Sequence, residues 1–169
     1  MIKNKDRNAV RVIELPASKM VWSGLCPDEK DETIRRFEKW WNAQDKLRRD
    51  RFYTRDFMWW DMQAKGIAWG LAVTETPADT GGFDVIDFPG GLYAVSTYAG
   101  NEEDAEEGAL GAWRTIETWV KKSGCFAVDE GAGRHTMWHC FNPQGVLEAM
   151  GYGQCDQYVP VRVEEAKGK

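Results

Sequence analysis

The chain has 169 residues, enough for one domain (residues 1–169) whose core needs no cross-links. Its net charge of −5 argues against the clustered basic face that a nucleic-acid partner requires, so we expect no nucleic acid among its partners. The sequence has neither an apolar run of about 20 residues nor an apolar leader, so we expect a cytoplasmic protein without a membrane partner.

A strand and a helix open the chain. The run AVRVIEL, residues 9–15, is rich in β-branched residues and ends before a proline, which predicts a strand that residues 19–24 extend after a bulge. A second proline, followed by acidic residues, indicates a helix start at Pro27. Across residues 27–49 one face at helical spacing carries Ile34, Phe37, Trp41 and Gln44, so we expect a helix of about five turns there.

A hairpin follows this helix. The runs DFMWWDM and IAWGLAVTE flank the polar loop QAKG, residues 63–66, and this pattern predicts two antiparallel strands. Residues 83–88, FDVIDF, form a further short extended run. The first half of the chain therefore has the order β-α-β-β.

The second half repeats this order. Residues 92–100 alternate as a strand, and residues 102–124 predict a helix because they begin with acidic residues and end with two lysines before a glycine. The runs HTMWHCF and QYVPVRV predict two more strands. The apolar stripe expected on the second helix consists of Leu110, Trp113, Ile116 and Val120.

We interpret the double β-α-β-β pattern as an internal duplication. Repeat one spans about residues 9–75 and repeat two about residues 91–163, with Trp59 and Trp138 at matching points. The predicted fold class is α+β, with pseudo-twofold symmetry between the repeats. We expect an antiparallel sheet with its helices on one face and a central ligand cleft.

Four segments, in this order and spacing, resemble the GyrI-like family: VIELP, GGLYAVSTYAG, WRTIETWVKKSG and DQYVPV. The family shares its fold with the effector-binding domains of multidrug-sensing transcription regulators of the BmrR and Rob type. The resemblance covers residues 9–163 and implies a cleft for apolar, often aromatic and cationic, small molecules. Since about eight residues precede the first strand and six follow Val163, we expect a stand-alone module without a DNA-binding domain.

The resemblance implies more than one function for a stand-alone member. Such relatives sequester drugs, bind a protein target such as gyrase, or hydrolyse strained rings such as those of cyclopropane-bearing genotoxic natural products. We predict a protein that binds aromatic or amphipathic compounds, including cationic ones, as a sensor, scavenger or drug-resistance module. The hydrolase is the alternative, and nothing in the sequence indicates a gyrase-type interface.

The predicted site is mainly aromatic. Relatives often carry a buried glutamate in the strand that matches TMWHCFNP, and this chain has Met137, Trp138 and His139 there, so we expect stacking to hold the ligand more than charge. Trp59 and Trp60 must point to opposite faces of one strand, and we assign Trp59 to the cleft. Core packing is the competing interpretation for every tryptophan. The predicted ligand-binding residues are Trp41, Trp59, Trp69, Tyr93, Trp113, Glu117, Trp138 and Tyr158.

Three of the residues are candidates for catalysis. Glu117 lies beside the apolar stripe of the second helix, where it either pairs with a cation or acts as a base in the cleft, or is a solvated side chain. His139 either activates water, donates a proton or contacts the ligand, or is a structural histidine. Tyr158, like Tyr93, either orients a ligand or donates a proton to a leaving atom, or holds a strand corner. His135 and His139 would lie about 13 Å apart on a strand, so we expect no metal and no cofactor.

The cysteines are Cys26, Cys125, Cys140 and Cys155. They lie far apart in the sequence and form no C-x-x-C pair, which excludes a zinc knuckle or a redox motif. We therefore expect reduced and mostly buried thiols.

Overall fold

The computed structural model describes residues 9–44, 56–100, 105–131, 133–140 and 144–164. The chain divides into two compact units, Ala17–Pro89 (the first unit) and Met1–Pro16 with Gly90–Lys169 (the second unit). Within the described residues the elements are β1 (Arg11–Leu15), β2 (Ser18–Trp22), α1 (Glu32–Asn42), β3 (Asp56–Asp61), β4 (Gly66–Val73), β5 (Val85–Phe88), β6 (Gly91–Gly100), α2 (Ala105–Ser123), β7 (Phe126–Val128), β8 (Met137–Cys140), α3 (Gln144–Met150) and β9 (Gly153–Val163).

The first unit contains an antiparallel sheet in the order β3-β4-β2-β5. β3 and β4 form the predicted hairpin, in which Trp59 pairs with Ala68. The helix α1 covers one face of this sheet, where its Phe37 packs with Val21 of β2 and Leu71 of β4. The core of this unit therefore lies between α1 and the middle strands.

The start of α1 is set by a side-chain cap. The Asp31 carboxylate accepts a hydrogen bond from the backbone N–H of Thr33 at 2.7 Å. This bond holds the pKa of Asp31 below its usual range. The helix begins at Glu32 and not at Pro27 as predicted, because the cap satisfies a first-turn donor. The predicted helical residues beyond position 44 lie outside the described residues.

The second unit contains an antiparallel sheet in the order β1-β6-β9-β8, and β7 pairs with the end of β9. The helix α2 covers one face, where Ile116 and Val120 pack with Ala94 of β6 and with Val159 and Val161 of β9. The short elements β7 and α3 were not predicted from the sequence.

The α+β class and the repeated β-α-β-β order are confirmed. In each unit the last strand of the repeat lies between the other two. In the first unit β4 pairs with β2 and β3, and in the second unit β9 pairs with β6 and β8. One strand differs from the sequence-based assignment, since β1 was placed in repeat one but pairs with β6 in the second unit. Pro16 has no N–H to continue a ladder, which separates β1 from β2.

The buried side of α2 differs from the predicted stripe. Ile116 and Val120 are buried as expected, but Leu110 is 46% and Trp113 37% exposed. The helix approaches β6 at small residues instead: a Cβ on Gly108 would lie 2.7 Å from the Tyr98 ring. The i, i+4 row that starts at Gly108 continues through the buried residues Ala112, Ile116 and Val120, so this row faces the sheet and Leu110 and Trp113 do not.

Candidate functional site

Each sheet has one face against its helix and a second face turned away from it, which we call the distal face. In the first unit, Val21 and Leu71 pack with α1. Since side chains alternate along a strand, Met20 and Trp22 of β2 lie on the distal face. The pairing of Trp22 with Gly70 and of Trp59 with Ala68 places Trp59 on the same face.

Aromatic rings occupy the distal face of the first unit. Trp22 and Trp59 stack with their ring centroids 6.1 Å apart and an interplanar angle of 5°. Phe57 and Phe88 stack with centroids 6.2 Å apart. Trp59 is only 4% exposed, whereas Trp60 points to the other face of β3 and is 41% exposed. Of the two adjacent tryptophans, Trp59 is therefore the one on the distal face.

Gly70 makes room for these side chains. A Cβ at this position would lie 2.3 Å from the Met20 sulfur and 3.1 Å from the ring of Trp59. The absence of a side chain in β4 thus lets Met20 and Trp59 lie against the sheet backbone.

Tyrosines occupy the corresponding face of the second unit. Ala94 and Val159 pack with α2, so Tyr93 and Tyr158 lie on the distal face. The two tyrosine rings pack edge to face with centroids 6.4 Å apart. Tyr93 is fully buried, and burial raises the pKa of its phenol above the usual value, although the positive charge of Arg134 opposes this shift.

Arg134 holds Tyr93 in place. Its guanidinium carbon lies 5.3 Å from the centre of the Tyr93 ring. The guanidinium also donates to the carboxylate of Asp129, to the Leu92 carbonyl at 2.5 Å and to the Val161 carbonyl at 3.3 Å. This network ties β6, β9 and the segment before β8 together, which favours the structural interpretation of Tyr93.

A polar cluster borders the tyrosines. Asp156 accepts hydrogen bonds from Arg11 Nη2 at 2.6 Å and from the Thr97 hydroxyl at 2.5 Å. The Tyr158 hydroxyl donates to Asp156 across 3.5 Å, and His139, which is 8% exposed, pairs directly opposite Asp156 in the β8–β9 ladder. The structure thus brings two of the predicted catalytic candidates, His139 and Tyr158, to one carboxylate.

Sequence reasoning missed Asp156 and Arg11. A signal for Asp156 was present in CDQYVPV, because a residue two positions before Tyr158 shares its face of the strand. Arg11 gave no such signal, since its approach to Asp156 depends on the pairing of β1 with β6.

Glu117, the third candidate, lies on the other side of the sheet, because α2 packs opposite the distal face. Its side chain is 35% exposed, and its Oε1 lies 3.0 Å from Lys121 Nζ one turn later. Its partner is therefore a lysine on the helix side of the sheet. The structure does not bring Glu117 together with His139 and Tyr158, and the predicted residue Trp113 lies exposed on the same helix.

Three predicted tryptophans lie on the helix side of the sheets. Trp41 of α1 is 5% exposed and belongs to the core between this helix and the sheet. Trp69 packs against the same core and donates its indole N–H to Asp56 at 3.0 Å. Trp138 is half-buried and pairs with Gln157, on the face of β9 that meets α2. These positions fit the core-packing interpretation of the three rings.

A disulfide joins Cys140 and Cys155, whose Cα atoms are 4.2 Å apart. This bond corrects the expectation that all four cysteines are reduced. The two residues are direct partners in the β8–β9 ladder, a register that the cysteine spacing did not reveal. The disulfide lies next to the polar cluster, since Cys140 follows His139 and Cys155 precedes Asp156.

The other two cysteines are free thiols. Cys26 is buried, and burial, followed by the negative charge of Asp31, raises the pKa of its thiol. Cys125 is exposed. The expectation of mostly buried thiols thus holds for one of the two.

Neither a metal site nor a membrane span is apparent in the described part of the chain. No three His, Cys, Asp or Glu residues there are arranged to hold a metal ion. Among the described helices, none combines the length and the hydropathy that a membrane crossing demands. A cytoplasmic location stays a prediction, because structural disulfides are typical of oxidising compartments.

Comparison with known proteins shows the fold. No protein family model and no curated protein matches the sequence. The chain is similar to the solved structure of a hydrolase from Listeria innocua, with a TM-score of 0.55 and 13% identity over 90% of this chain and 91% of that one. It is also similar to the C-terminal domain of EcmrR, with a TM-score of 0.56 and 11% identity over 90% and 96% of the two chains.

A third similar structure is SAV2435 bound to tetraphenylphosphonium, with a TM-score of 0.50 and 13% identity over 90% of this chain and 93% of that one. At such low identities the likeness extends to the fold alone. The architecture is consistent with the GyrI-like fold that the sequence motifs implied.

Proposed function

We propose that this chain binds a small aromatic or amphipathic molecule, including cationic ones, on the distal faces of its sheets. The observation that carries the proposal is the aromatic character of these faces. An antiparallel sheet with helices on one side commonly presents polar residues on the other. Here the distal faces carry the Trp22–Trp59 stack in the first unit and the Tyr93–Tyr158 pair in the second. Aromatic linings of this kind are typical of ligand pockets.

Asp156 supplies the counter-charge for a cationic ligand. Its side chain is 23% exposed and lies within reach of the Tyr158 hydroxyl. A cation next to Tyr158 would gain both the carboxylate charge and an aromatic face. Arg11 already pairs with Asp156, so a cationic ligand has to compete with the arginine for this carboxylate.

Calorimetric titration with tetraphenylphosphonium tests the charge requirement, with neutral triphenylphosphine oxide as the matched probe. We expect the Asp156→Asn variant to bind the cation about fivefold more weakly, because a partly exposed charge pair contributes up to about 1 kcal/mol. Its affinity for the neutral probe should not change. Arg11→Gln removes the competitor and should tighten binding of the cation.

Asp87→Asn is the matched control for Asp156→Asn. Asp87 is an exposed carboxylate that pairs with Lys19 at 2.6 Å, so the same substitution removes a charge outside the distal face. Equal affinity of the Asp156→Asn variant and the wild-type protein for tetraphenylphosphonium would refute the role of Asp156. Absence of heat with either probe would refute small-molecule binding by these aromatic faces.

Tryptophan fluorescence tests the aromatic face of the first unit. The adjacent residues Trp59 and Trp60 lie on opposite faces of β3, which gives a matched pair of variants. We expect Trp59→Phe to remove more of the ligand-induced quenching than Trp60→Phe does. The reverse order would place the ligand on the helix side of β3.

A hydrolase is the second candidate, and the convergence of His139 and Tyr158 on Asp156 favours it. In such a reaction water adds across a strained ring: its oxygen forms a bond to a ring carbon as the ring bond breaks. His139 accepts the proton of the attacking water, and Tyr158 donates a proton to the carbon that leaves. Glu117, which the sequence offered as the base, has no part in this arrangement.

Product analysis distinguishes the two candidates. The protein is incubated with a cyclopropane-bearing alkylating compound, and the ring-opened product is measured by mass spectrometry. If the chain is a hydrolase, His139→Gln and Tyr158→Phe should each slow turnover about 100-fold or more while the substrate still binds. Binding without any ring-opened product assigns the chain to the non-catalytic class.

A further inference from the structure

We propose a second and separate binding site, for a small aromatic carboxylate, beside α2 in the second unit. A cavity of about 270 Å³ lies there, between α2 and the pair Ala9 and Val10 just before β1. Pockets for drug-sized ligands measure about 300–1,000 Å³, so this cavity suits a molecule of one or two rings. Its lining includes Val10, Arg114, Thr115, Thr118, Trp119 and Lys122.

The charge of this lining is positive. Arg114 and Lys122 both border the cavity, and among the described residues that line it none is acidic. They are eight residues apart, about 12 Å along the helix axis, with Thr118 midway between them. Both side chains are long enough to direct their charges toward an anion at Thr118. A guanidinium binds a carboxylate through two parallel hydrogen bonds, which favours this anion.

The floor of the cavity is apolar and aromatic. Val10 is buried in the core beneath α2. Trp119 stacks on Phe126 with ring centroids 5.5 Å apart and an interplanar angle of 28°. Because Phe126 covers one face of the indole, the part of Trp119 that borders the cavity is held in position. An aromatic ring can therefore pack on Val10 and Trp119 while its carboxylate points toward the cations.

The two threonines differ in what they offer. The Thr115 hydroxyl donates to the Gly111 carbonyl at 2.9 Å, so its hydrogen is already engaged. Thr118 carries the other hydroxyl of the lining, and a hydroxyl can donate to a carboxylate oxygen. The lining thus has charge, a donor and an apolar floor, the three features that an aryl carboxylate requires.

This site does not depend on the function proposed for the distal faces. The cavity borders α2, whereas Tyr158 and Asp156 lie on the face of the sheet turned away from that helix. The two ligands also differ in charge: the carboxylate on the distal face favours a cationic ligand, whereas the two basic side chains of the cavity favour an anionic one. A negative binding result at one site therefore does not refute the proposal for the other site.

Calorimetry with 2-naphthoate tests the proposal, and neutral 2-naphthamide is the matched probe of the same shape. We expect the wild-type protein to bind 2-naphthoate more tightly than 2-naphthamide. Arg114→Gln and Lys122→Gln should each weaken 2-naphthoate binding about fivefold. Lys121→Gln is the control, because Lys121 pairs with Glu117 and does not line the cavity.

Two outcomes overturn the proposal. One is equal affinity of the wild-type protein for the two probes, which would remove the role of charge. The other is an equal loss of affinity in the Lys121→Gln and Lys122→Gln variants, which would assign the effect to the general charge of the helix. Thermal unfolding of each variant shows that it is folded, and the two cavity variants test the site independently.

Discussion

At the scale of single residues, Gly70 is a position in the middle of a strand that leaves no room for a side chain. A Cβ there would lie 2.3 Å from the Met20 sulfur and 3.1 Å from the Trp59 ring, so one of these side chains must move. We expect Gly70→Ala to lower the free energy of unfolding by about 1–3 kcal/mol, as overpacking does in other cores. Urea unfolding followed by circular dichroism measures this change.

Gly111 provides the matched control for this prediction. It lies within α2, and a Cβ there would meet no atom within 4 Å. Alanine has the higher helix propensity, so Gly111→Ala should raise stability by about 0.5–1 kcal/mol. A Gly70→Ala variant as stable as wild type would mean that Met20 and Trp59 rearrange without cost.

Tyr93 makes stability depend on alkaline pH. Burial raises the pKa of its phenol in the folded state above the value of about 10 that it has when unfolded. The stability contributed by the neutral phenol is fully present below pH 10 and is lost as the pH rises through the raised pKa. We expect Tyr93→Phe to lose less stability than wild type between pH 9 and pH 11, measured by urea unfolding at each pH.

Tyr152→Phe is the control for Tyr93→Phe, because it removes the hydroxyl of an exposed tyrosine. Tyr152→Phe should keep the alkaline loss of the wild type because it retains Tyr93. If Tyr93→Phe and wild type lose stability in parallel, the alkaline loss has another origin.

At the scale of elements, the order of strands and helices was predictable but the face of each strand was not. Trp59 and Trp138 occupy matching places in the two predicted repeats. Trp59 nevertheless lies on a distal face, while Trp138 lies on the face that meets α2. A shift of one residue in a strand reverses the face of every side chain, and sequence spacing does not define that register.

The register of strands and helices also decides which predicted site residues lie together in the structure and which lie apart. Tyr93, Tyr158 and His139 lie on one distal face because they share parity along three paired strands. Trp41 and Glu117 belong to helices, and the face that a helix turns to a sheet depends on how its rows of side chains pack against the strands. The strand residues Trp69 and Trp138, which also lie on the helix side of the sheets, show that the same limit applies to strands.

The β8–β9 pair depends on the disulfide between Cys140 and Cys155. Their sequence separation is 15 residues, and closing a loop of this length stabilises a fold by about 3 kcal/mol in the chain-entropy account. We expect the Cys140→Ala/Cys155→Ala double variant to lose about this much stability. Addition of dithiothreitol should shift the urea midpoint of the wild type in the same direction.

Cys125→Ser is the matched control, because this thiol is exposed and forms no disulfide. It should unfold like the wild type and remain sensitive to dithiothreitol, whereas the double variant should not respond to the reductant. Identical wild-type midpoints with and without dithiothreitol would argue that the bond contributes nothing to stability.

At the scale of the whole molecule, the net charge of −5 does not show where the individual charges lie. The Asp156 cluster carries a carboxylate beside aromatic rings, and the cavity beside α2 carries Arg114 and Lys122. Ligands of opposite charge should therefore occupy different parts of one chain. Composition alone could not indicate this, because net charge averages over the surface.

The two proposed sites predict additive stabilisation by their ligands. A ligand that binds only the folded state at 100 times its Kd adds about 2.7 kcal/mol to the free energy of unfolding, so tetraphenylphosphonium and 2-naphthoate together should add about 5 kcal/mol. Urea unfolding with each ligand and with both measures the sum. Because binding becomes about fivefold weaker, Asp156→Asn should reduce the stabilisation by the cation alone, and Arg114→Gln the stabilisation by the carboxylate alone, each by about 1 kcal/mol. A combined gain no larger than the greater single gain would mean that the two ligands compete for one site.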